Sequence, residues 1–334
     1  MIVIARRTVP TPTVAKVGWL LIVSLAASAT ITACAASSAR PVPATTPSAY
    51  LDPTPRVAVM SAIDAELGRL VERAEIDRTI RLNGRDHHVG RLAGLEVVLT
   101  LSGVSMVNAA MNTQLLLDRF HITAIVFSGI AGGVNPELGV GDVTVPAQWG
   151  QHQEVVFARE TESGWDDRGM GGGFENFGMM FPRRQHVVRE GEDYDGRRRL
   201  FWFPADPEML AVARRVAQEI ELERCTPGGD CLDRAPVVVV GGNGLSGPSF
   251  VDNAVYREWM WRTFAADAVD MESAAVAHVA HANWIPYVVF RSLSDLAGGS
   301  PDADRIRVFL QLAATNSAQV LLGFLEAWGA RAGG

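Results

Sequence analysis

The chain has 334 residues, 48% of them hydrophobic and 20% charged, with a formal net charge of -7. The apolar share argues for a well-filled core, and the acidic balance supplies no basic footprint for nucleic acid. Once the two N-terminal segments described next are set aside, about 280 residues remain, enough for one large or two small domains.

Arg6, Arg7 and Lys16 precede an apolar run over residues 19–27, and the run is followed by Ile31-Thr32-Ala33-Cys34. This is the layout of a bacterial export signal, too short and too rich in small residues for a comfortable membrane span. Small residues before a cysteine resemble a lipobox, so residues 1–33 are expected to be a lipoprotein-type signal peptide and Cys34 the lipidated first residue of the mature protein. An ordinary secretory signal or an uncleaved anchor is the alternative. Residues 34–55, rich in Ala, Ser, Thr and Pro, are expected to be a flexible tether. The expected location is the periplasmic or extracellular face of a bacterial membrane.

Residues 56–62 read as a first strand entering a helix over 64–72. A hairpin turns at Asn83-Gly84, residues 95–101 form a strand, and 107–120 have helical apolar spacing. The buried strand at 124–128 runs into Gly129-Ile130-Ala131-Gly132-Gly133, read as a tight turn at which the backbone comes close to a bound group. Another strand begins at Gly141-Asp142. From 150 to 200 the pattern gives way to a long loop, functional or disordered, whose Met and aromatic residues suit a pocket lining, a subunit contact or a surface excursion.

A helix over 207–223 follows. Cys225 and Cys231 then flank Thr226-Pro227-Gly228-Gly229-Asp230, and in an exported chain such a pair reads as a small disulfide loop rather than a metal site. After a strand at 237–240, Gly242-Asn243-Gly244-Leu245-Ser246-Gly247 formally matches a dinucleotide fingerprint. Pro248 follows at once and denies it the helix N-terminus that would face a pyrophosphate. His278 and His281 lie three apart on a helix of small apolar residues, without acid or thiol partners, which favours packing over metal.

Two acids end strands. Val269-Asp270-Met271-Glu272 leads from a strand into a helix, and the buried run at 287–290 stops on Ser294-Asp295 before Gly298-Gly299. A helix over 310–328 closes the chain. Strands alternating with helices predict an α/β fold: a single domain over 56–330 with a central mixed, largely parallel twisted sheet flanked by helices, and a long insertion at about 150–200.

Three separated segments occur in order: Ser61-Ala62-Ile63-Asp64-Ala65-Glu66, the Gly129–Gly133 stretch, and Val269-Asp270-Met271-Glu272 with Ser294-Asp295. Together they resemble the purine nucleoside and uridine phosphorylase superfamily. Within it the chain is most similar to 5'-methylthioadenosine/S-adenosylhomocysteine nucleosidases and to plant bark storage proteins. The resemblance covers about residues 56–325 and matches least over 150–200. It implies that Asp295 is the acid at N7 of the leaving purine, beside Ser294, and that Glu272 holds the ribose hydroxyls with Met271 under the sugar. It also implies that Glu66 orients the attacking water, that Phe250 stacks on the base, that Val251 offers backbone bonds to the base edge, and that Gly129, Ile130, Ala131 and Gly132 lie near sugar and water.

These roles agree with the chemistry of the bond. Cleaving it builds positive charge on the sugar and negative charge on the base, so an acid near N7 and carboxylates near the ribose stabilise opposite ends. Phosphorylases of the family carry cations for phosphate, commonly an arginine two residues before the glycine of the glycine-rich stretch and a hydroxyl just after it. Here those positions are Phe127 and Ile130, and the first loop presents Glu66. The expected reaction is therefore hydrolysis of purine nucleosides, 5'-methylthioadenosine and S-adenosylhomocysteine among the candidates, with no cofactor and no metal. A phosphate-dependent phosphorylase or a non-catalytic nucleoside-binding lipoprotein are the alternatives. The expected partners are a small nucleoside, a membrane reached through the lipid anchor, and a second copy of the chain in a homodimer, but no nucleic acid.

Overall fold

A computed structural model describes residues 50–299 and 304–331. The expected signal peptide, Cys34 and residues 34–49 of the tether lie outside the described residues. The apolar run at 57–60 forms the centre of β1 (Asp52–Ser61), which starts earlier than the expected residue 56. Asp52 is buried and accepts a 2.9 Å hydrogen bond from Arg56 Nε. Residues 52–55 thus belong to the fold rather than to the tether, tied down by an ion pair that a composition reading of Pro and Thr does not reveal.

α1 (Asp64–Val71) leads to β2 (Glu75–Leu82), β3 (Arg85–Leu92) and β4 (Leu95–Leu101), a meander on one edge of the sheet. Its first turn is made by Asn83 and Gly84, both with positive φ, as a tight hairpin requires. α2 (Met106–Arg119) returns the chain to β5 (Phe120–Gly133), the long central strand. β6 (Val143–Val145) and β7 (Gln148–Gln151) follow.

The expected loop at 150–200 is instead built of short ribbons. Its strands are β8 (Val155–Phe157), β9 (Arg159–Thr161), β10 (Gly164–Asp166), β11 (Met180–Pro182), β12 (Gln185–Val187) and β13 (Arg198–Leu200). β8 pairs with β11, β9 with β10 and β12 with β13. Phe174 and Phe177 of this segment, with the following Phe201, pack on Trp259 and Phe264, and the Phe201 and Phe264 rings stack with centroids 5.1 Å apart. Aromatic burial, worth about 0.5–1.5 kcal/mol per ring pair beyond area, fixes a segment whose period gives no regular element.

The chain continues through β14 (Trp202–Pro204), α3 (Pro207–Glu219), β15 (Val238–Val240) and β16 (Asn243–Ser246). It ends with α4 (Ala254–Phe264), β17 (Ala266–Asp270), α5 (Ser273–Ala282), β18 (Tyr287–Asp295) and α6 (Asp304–Ala330). The main sheet has the order β14-β7-β16-β17-β5-β1-β4-β3-β2, with β18 on β5 and β6, and β15 on β6. β1 runs parallel to β4 and β5, β18 parallel to β5, and β16 parallel to β7 and β17, while β17 meets the end of β5 antiparallel. The sheet is mixed and largely parallel at its centre, as the alternation of elements implies.

Four local readings meet the structure here. The Gly129–Gly133 stretch is no turn: it continues β5, in register with β18 through Arg291↔Gly129 and Leu293↔Ala131. Of the fingerprint stretch at 242–247, residues 243–246 form β16, and no helix starts on its glycines. His278 stacks on Phe203 at 4.5 Å, a packing role. The sulfurs of Cys225 and Cys231 are bonded, closing a short hairpin.

Candidate active site

The ends of β1, β5, β17 and β18 converge, and ligands in open α/β sheets bind in the crevice beyond such strand ends. The crevice here is a cavity of about 210 Å³. Glu66, Ile130, Ala131 and Gly132 line it from one side. Met271, Glu272, Ser294 and Asp295 line it from another, and Phe250 with Val251 closes the third. Gly129 lies behind the wall. The site residues singled out from the sequence thus line one cavity, except Gly129, which adjoins the lining residue Ile130, and Cys34 and the cysteine pair.

Glu66 occupies the third helical position of α1, and its carboxylate reaches back to the N–H groups of Ala62 (2.8 Å) and Ile63 (3.2 Å). A glutamate at that position satisfies the orphan donors of a helix start. Its other oxygen accepts the N–H of Ile130 at 3.0 Å, which locks α1 to β5. Burial pushes its pKa up, against the pull of the Arg291 charge and the three N–H groups.

At the exit of β17, Asp270 accepts the N–H groups of Glu272 and Ser273, each at 3.1 Å, and so turns the strand into α5. That turn aims Glu272 into the cavity. One of its oxygens takes the N–H of Ser105 at 2.8 Å, and burial, reinforced by the neighbouring Asp270 charge, pushes its pKa up to about 7. Ser105 holds φ at +83°, a backbone strain located where the N–H must face the carboxylate.

Behind these acids stands Arg291, completely buried in β18. Its guanidinium bonds Asp270 Oδ2 at 2.7 Å, donates to Ser273 Oγ at 2.9 and 3.0 Å, comes within 3.5 Å of Glu272 Oε2, and lies 4.3 Å from the Phe127 ring centroid. This explains the glycine at 129. A Cβ there would lie 2.0 Å from Arg291 Nη1 and 2.8 Å from Glu66 Oε1, so only glycine lets the arginine pass under β5.

Asp295 ends β18 with one oxygen accepting the N–H of Ala297 at 2.8 Å and the other the Ser294 hydroxyl at 2.9 Å. Burial is the largest influence on it and raises its pKa above the usual aspartate value. Gly132 again makes room: a Cβ there would sit 3.0 Å from Asp295 Oδ1. Phe250 differs from all of these, being 64% exposed on the irregular segment between β16 and α4, whereas Val251 beside it is buried.

Three participants escape the sequence reading. Arg291 carried a signal, since a charge inside a strand whose every residue is buried needs partners. Asp270 had a weaker one, an acid immediately before a helix. Ser105 had none, because its backbone N–H makes the contact. Four carboxylates line the cavity, those of Glu66, Asp270, Glu272 and Asp295, and no Lys, Arg or His side chain does so among the described residues.

A sequence profile of the phosphorylase superfamily matches residues 56–326. The chain is similar to the 5'-methylthioadenosine/S-adenosylhomocysteine nucleosidase of Bacillus thuringiensis, with 31% identity over 271 residues that cover 81% of this chain and 98% of the relative. It is similar to the nucleosidase of the same name from Tolumonas auensis, with 28% identity over 272 residues, 81% of this chain and 99% of that one. Among solved structures it matches the Neisseria meningitidis nucleosidase of that name in complex with methylthio-immucillin-A, at a TM-score of 0.61 and 26% identity, over 81% of this chain and 99% of the other.

Proposed function

The chain belongs to the phosphorylase superfamily, and from that membership we propose that it is a purine nucleosidase acting on 5'-methylthioadenosine and S-adenosylhomocysteine. It hydrolyses the N-glycosidic bond and releases the base and a free sugar. The observation that carries hydrolysis over phosphorolysis is the make-up of the cavity: four acidic residues and, among the described residues, no basic side chain in its lining. A phosphate dianion entering there finds acids in place of the cations it needs and meets the negative charge of those that are ionised, whereas water needs no counter-charge. Arg291 does not alter this, because its donors are taken by Asp270, Ser273, Glu272 and the Ile130 carbonyl.

The family resemblance implies the following roles, and the geometry supports them. Glu66 uses three of roughly four carboxylate acceptor sites on backbone N–H groups, leaving one to orient a water. Glu272 holds the ribose hydroxyls and, with Glu66, faces the positive charge that grows on the sugar. Met271 packs below the sugar ring. Asp295, steadied by Ser294 and Ala297, donates to N7 as the bond breaks, a step typically worth about 10² to 10⁴ in rate. Phe250 stacks on the base and Val251 supplies backbone bonds to its edge. Burial raises the pKa of both Glu66 and Asp295, which places the loss of a water-orienting anion on the acid side and the loss of the proton donor on the basic side.

Product analysis tests this reading. Incubated with 5'-methylthioadenosine in phosphate-free buffer, the protein releases adenine and methylthioribose at a rate that added phosphate does not raise. A sugar 1-phosphate formed only with phosphate makes it a phosphorylase, and tight binding without release of base makes it a binding protein.

The same reading places the enzyme outside the cytoplasm, anchored by a lipid on Cys34 and stapled by a Cys225–Cys231 disulfide. Support comes from the N-terminal charge and hydropathy layout and from the pairing of the two sulfurs. Cys34→Ser is expected to leave the membrane fraction, and membrane retention of that variant counts against the anchor. A homodimer is supported by apolar side chains exposed on the N-terminal half of α2 and at the cavity rim: Val104, Val107, Met111 and Phe250. Sedimentation at working concentration checks it, with a monomer as the contrary result.

A further inference from the structure

The hairpin closed by Cys225 and Cys231 lies outside the cavity lining, yet it leads into Leu232 and Arg234, which contact the Gly141-Asp142 turn, and that turn bonds the strand carrying Asp295. Arg224 donates through Nε to the Leu232 carbonyl at 2.8 Å and Leu232 N–H to the Arg224 carbonyl at 2.9 Å, which sets the exit of the hairpin. Leu232 is buried with Phe309 and Leu312 of α6. It sits on the backbone of Gly141, where φ is +90° and a Cβ would fall 2.4 Å from Leu232 Cδ1.

Arg234, half exposed, takes both oxygens of the fully buried Asp142: Nη1 donates to Oδ1 at 2.8 Å and Nη2 makes a closer contact with Oδ2. Such a two-pronged pair fixes direction as well as distance. Asp142 also accepts the N–H groups of Gly139 (2.8 Å) and Val237 (2.9 Å).

Gly141 and Asp142 in turn hold Leu293. Leu293 N–H donates to the Asp142 carbonyl at 2.8 Å, and Gly141 N–H to the Leu293 carbonyl at 2.8 Å. Beyond Leu293 the pairing of β18 with β5 shifts register before Asp295 meets Gly132, so the ladder is irregular over the last step to the acid. The bonds from Gly141 and Asp142 are therefore the regular anchor nearest to it on that side of the strand.

We infer that Arg234 is a positioning residue for Asp295: its fork fixes Asp142, Gly141 and Asp142 fix Leu293, and Leu293 sets the direction in which the irregular Ser294-Asp295 end leaves the sheet. The stapled hairpin holds Arg234 and Leu232 against that turn. The inference rests on the reading of Asp295 as the acid that protonates the base. Misplacement of a reacting group by about 1 Å can cost on the order of 100-fold in rate, so a loosened anchor acts on turnover before it acts on binding.

The test compares the full chain with Arg234→Gln and Arg234→Lys, measuring kcat and KM for 5'-methylthioadenosine together with hydrogen exchange at the Leu293 amide and, as reference, at Val59 and Val98. The expected result for Arg234→Gln is a drop in kcat of about 10-fold or more with KM little changed, faster exchange at Leu293 alone, and only partial recovery in Arg234→Lys, which keeps the charge but not the two-pronged geometry. Unchanged kcat with unchanged Leu293 exchange overturns the inference, as does a parallel loss of kcat and KM with exchange rising everywhere, the mark of a purely structural role. If the unsubstituted chain releases no base, the nucleosidase reading fails by itself. Exchange at Leu293 then decides the anchor alone, selective acceleration supporting it and no change sinking it. Should Arg234→Gln fail to fold, the double variant Cys225→Ala/Cys231→Ala opens the hairpin with Arg234 and Asp142 retained. A smaller change of the same sign in kcat and in Leu293 exchange supports the inference, and no change in either overturns it.

Discussion

The two ends of the cavity are built differently. At the sugar end, Glu66 and Glu272 are buried and bonded to the N–H groups of Ala62, Ile63, Ile130 and Ser105, donors drawn from separate segments of the chain. At the base end, Asp295 is buried and held in the same way by Ser294 and the Ala297 N–H, but Phe250 stands largely exposed on an irregular segment. Under the proposed function the contrast separates chemistry from recognition: strand ends and helix starts hold the acids assigned to the bond, while the ring assigned to stacking on the base sits on a loop. Preorganised charge contributes in the transition state, whereas stacking contributes mainly to binding.

Substitutions of the buried acids and of the exposed ring are therefore expected to separate kcat from KM. The largest effect is expected for Asp295→Asn, which keeps the shape and the Ser294 contact but removes the proton: kcat falls by about 10² to 10⁴ with thermal stability nearly unchanged. Undiminished release of adenine would remove Asp295 from its role. Arg291→Met leaves Asp270 and Glu272 buried without their cation and is expected to cost about 3–5 kcal/mol of folding stability, read as a lowered denaturant midpoint. A variant as stable as the parent would show that the buried network is not held by that charge. Phe250→Ala is expected to raise KM about 10-fold, in keeping with about 1–3 kcal/mol for a base on an aromatic ring, while kcat changes little. A kcat loss matching that of Asp295→Asn would erase the division between the two ends.

The smallest effect concerns pH. Because Glu272 is pushed up from 4.5 to about 7 on folding, the folded state holds its proton more tightly than the unfolded chain. Its contribution to stability is complete below the unfolded value and is lost as pH rises through about 7. Over that window stability falls by at most about 1.4 kcal/mol per pH unit from this group, and Glu272→Gln flattens the slope. An unchanged slope in denaturant titrations would assign it to other carboxylates.

How much of this was legible in the sequence divides along the same line. The strand ends were, because Ser294-Asp295 after a buried run and Asp270-Met271-Glu272 before a helix are local patterns. The glycine stretch was located but given the wrong shape. Glycines 129 and 132 serve close approach by Arg291 and Asp295 inside a strand, and the partners that demand it lie far along the chain. Residues 52–55 looked like tether because the ion pair of Asp52 with Arg56 has no compositional signature. The segment at 150–200 lacks period, since rings packed across the chain onto Trp259 and Phe264 fix it rather than a helix or strand face. Ser105 was beyond reach of any residue-type argument, its contribution being a main-chain N–H at positive φ.

Under the proposed function water, oriented by the buried Glu66 carboxylate in a cavity lined, among the described residues, by acids and by no base, attacks the sugar. Reaction of 5'-methylthioadenosine in water labelled with heavy oxygen, with inorganic phosphate present in excess and rapid quenching, tests it most directly. The account predicts one labelled oxygen at the former glycosidic carbon of a free sugar. An unlabelled sugar 1-phosphate would contradict it.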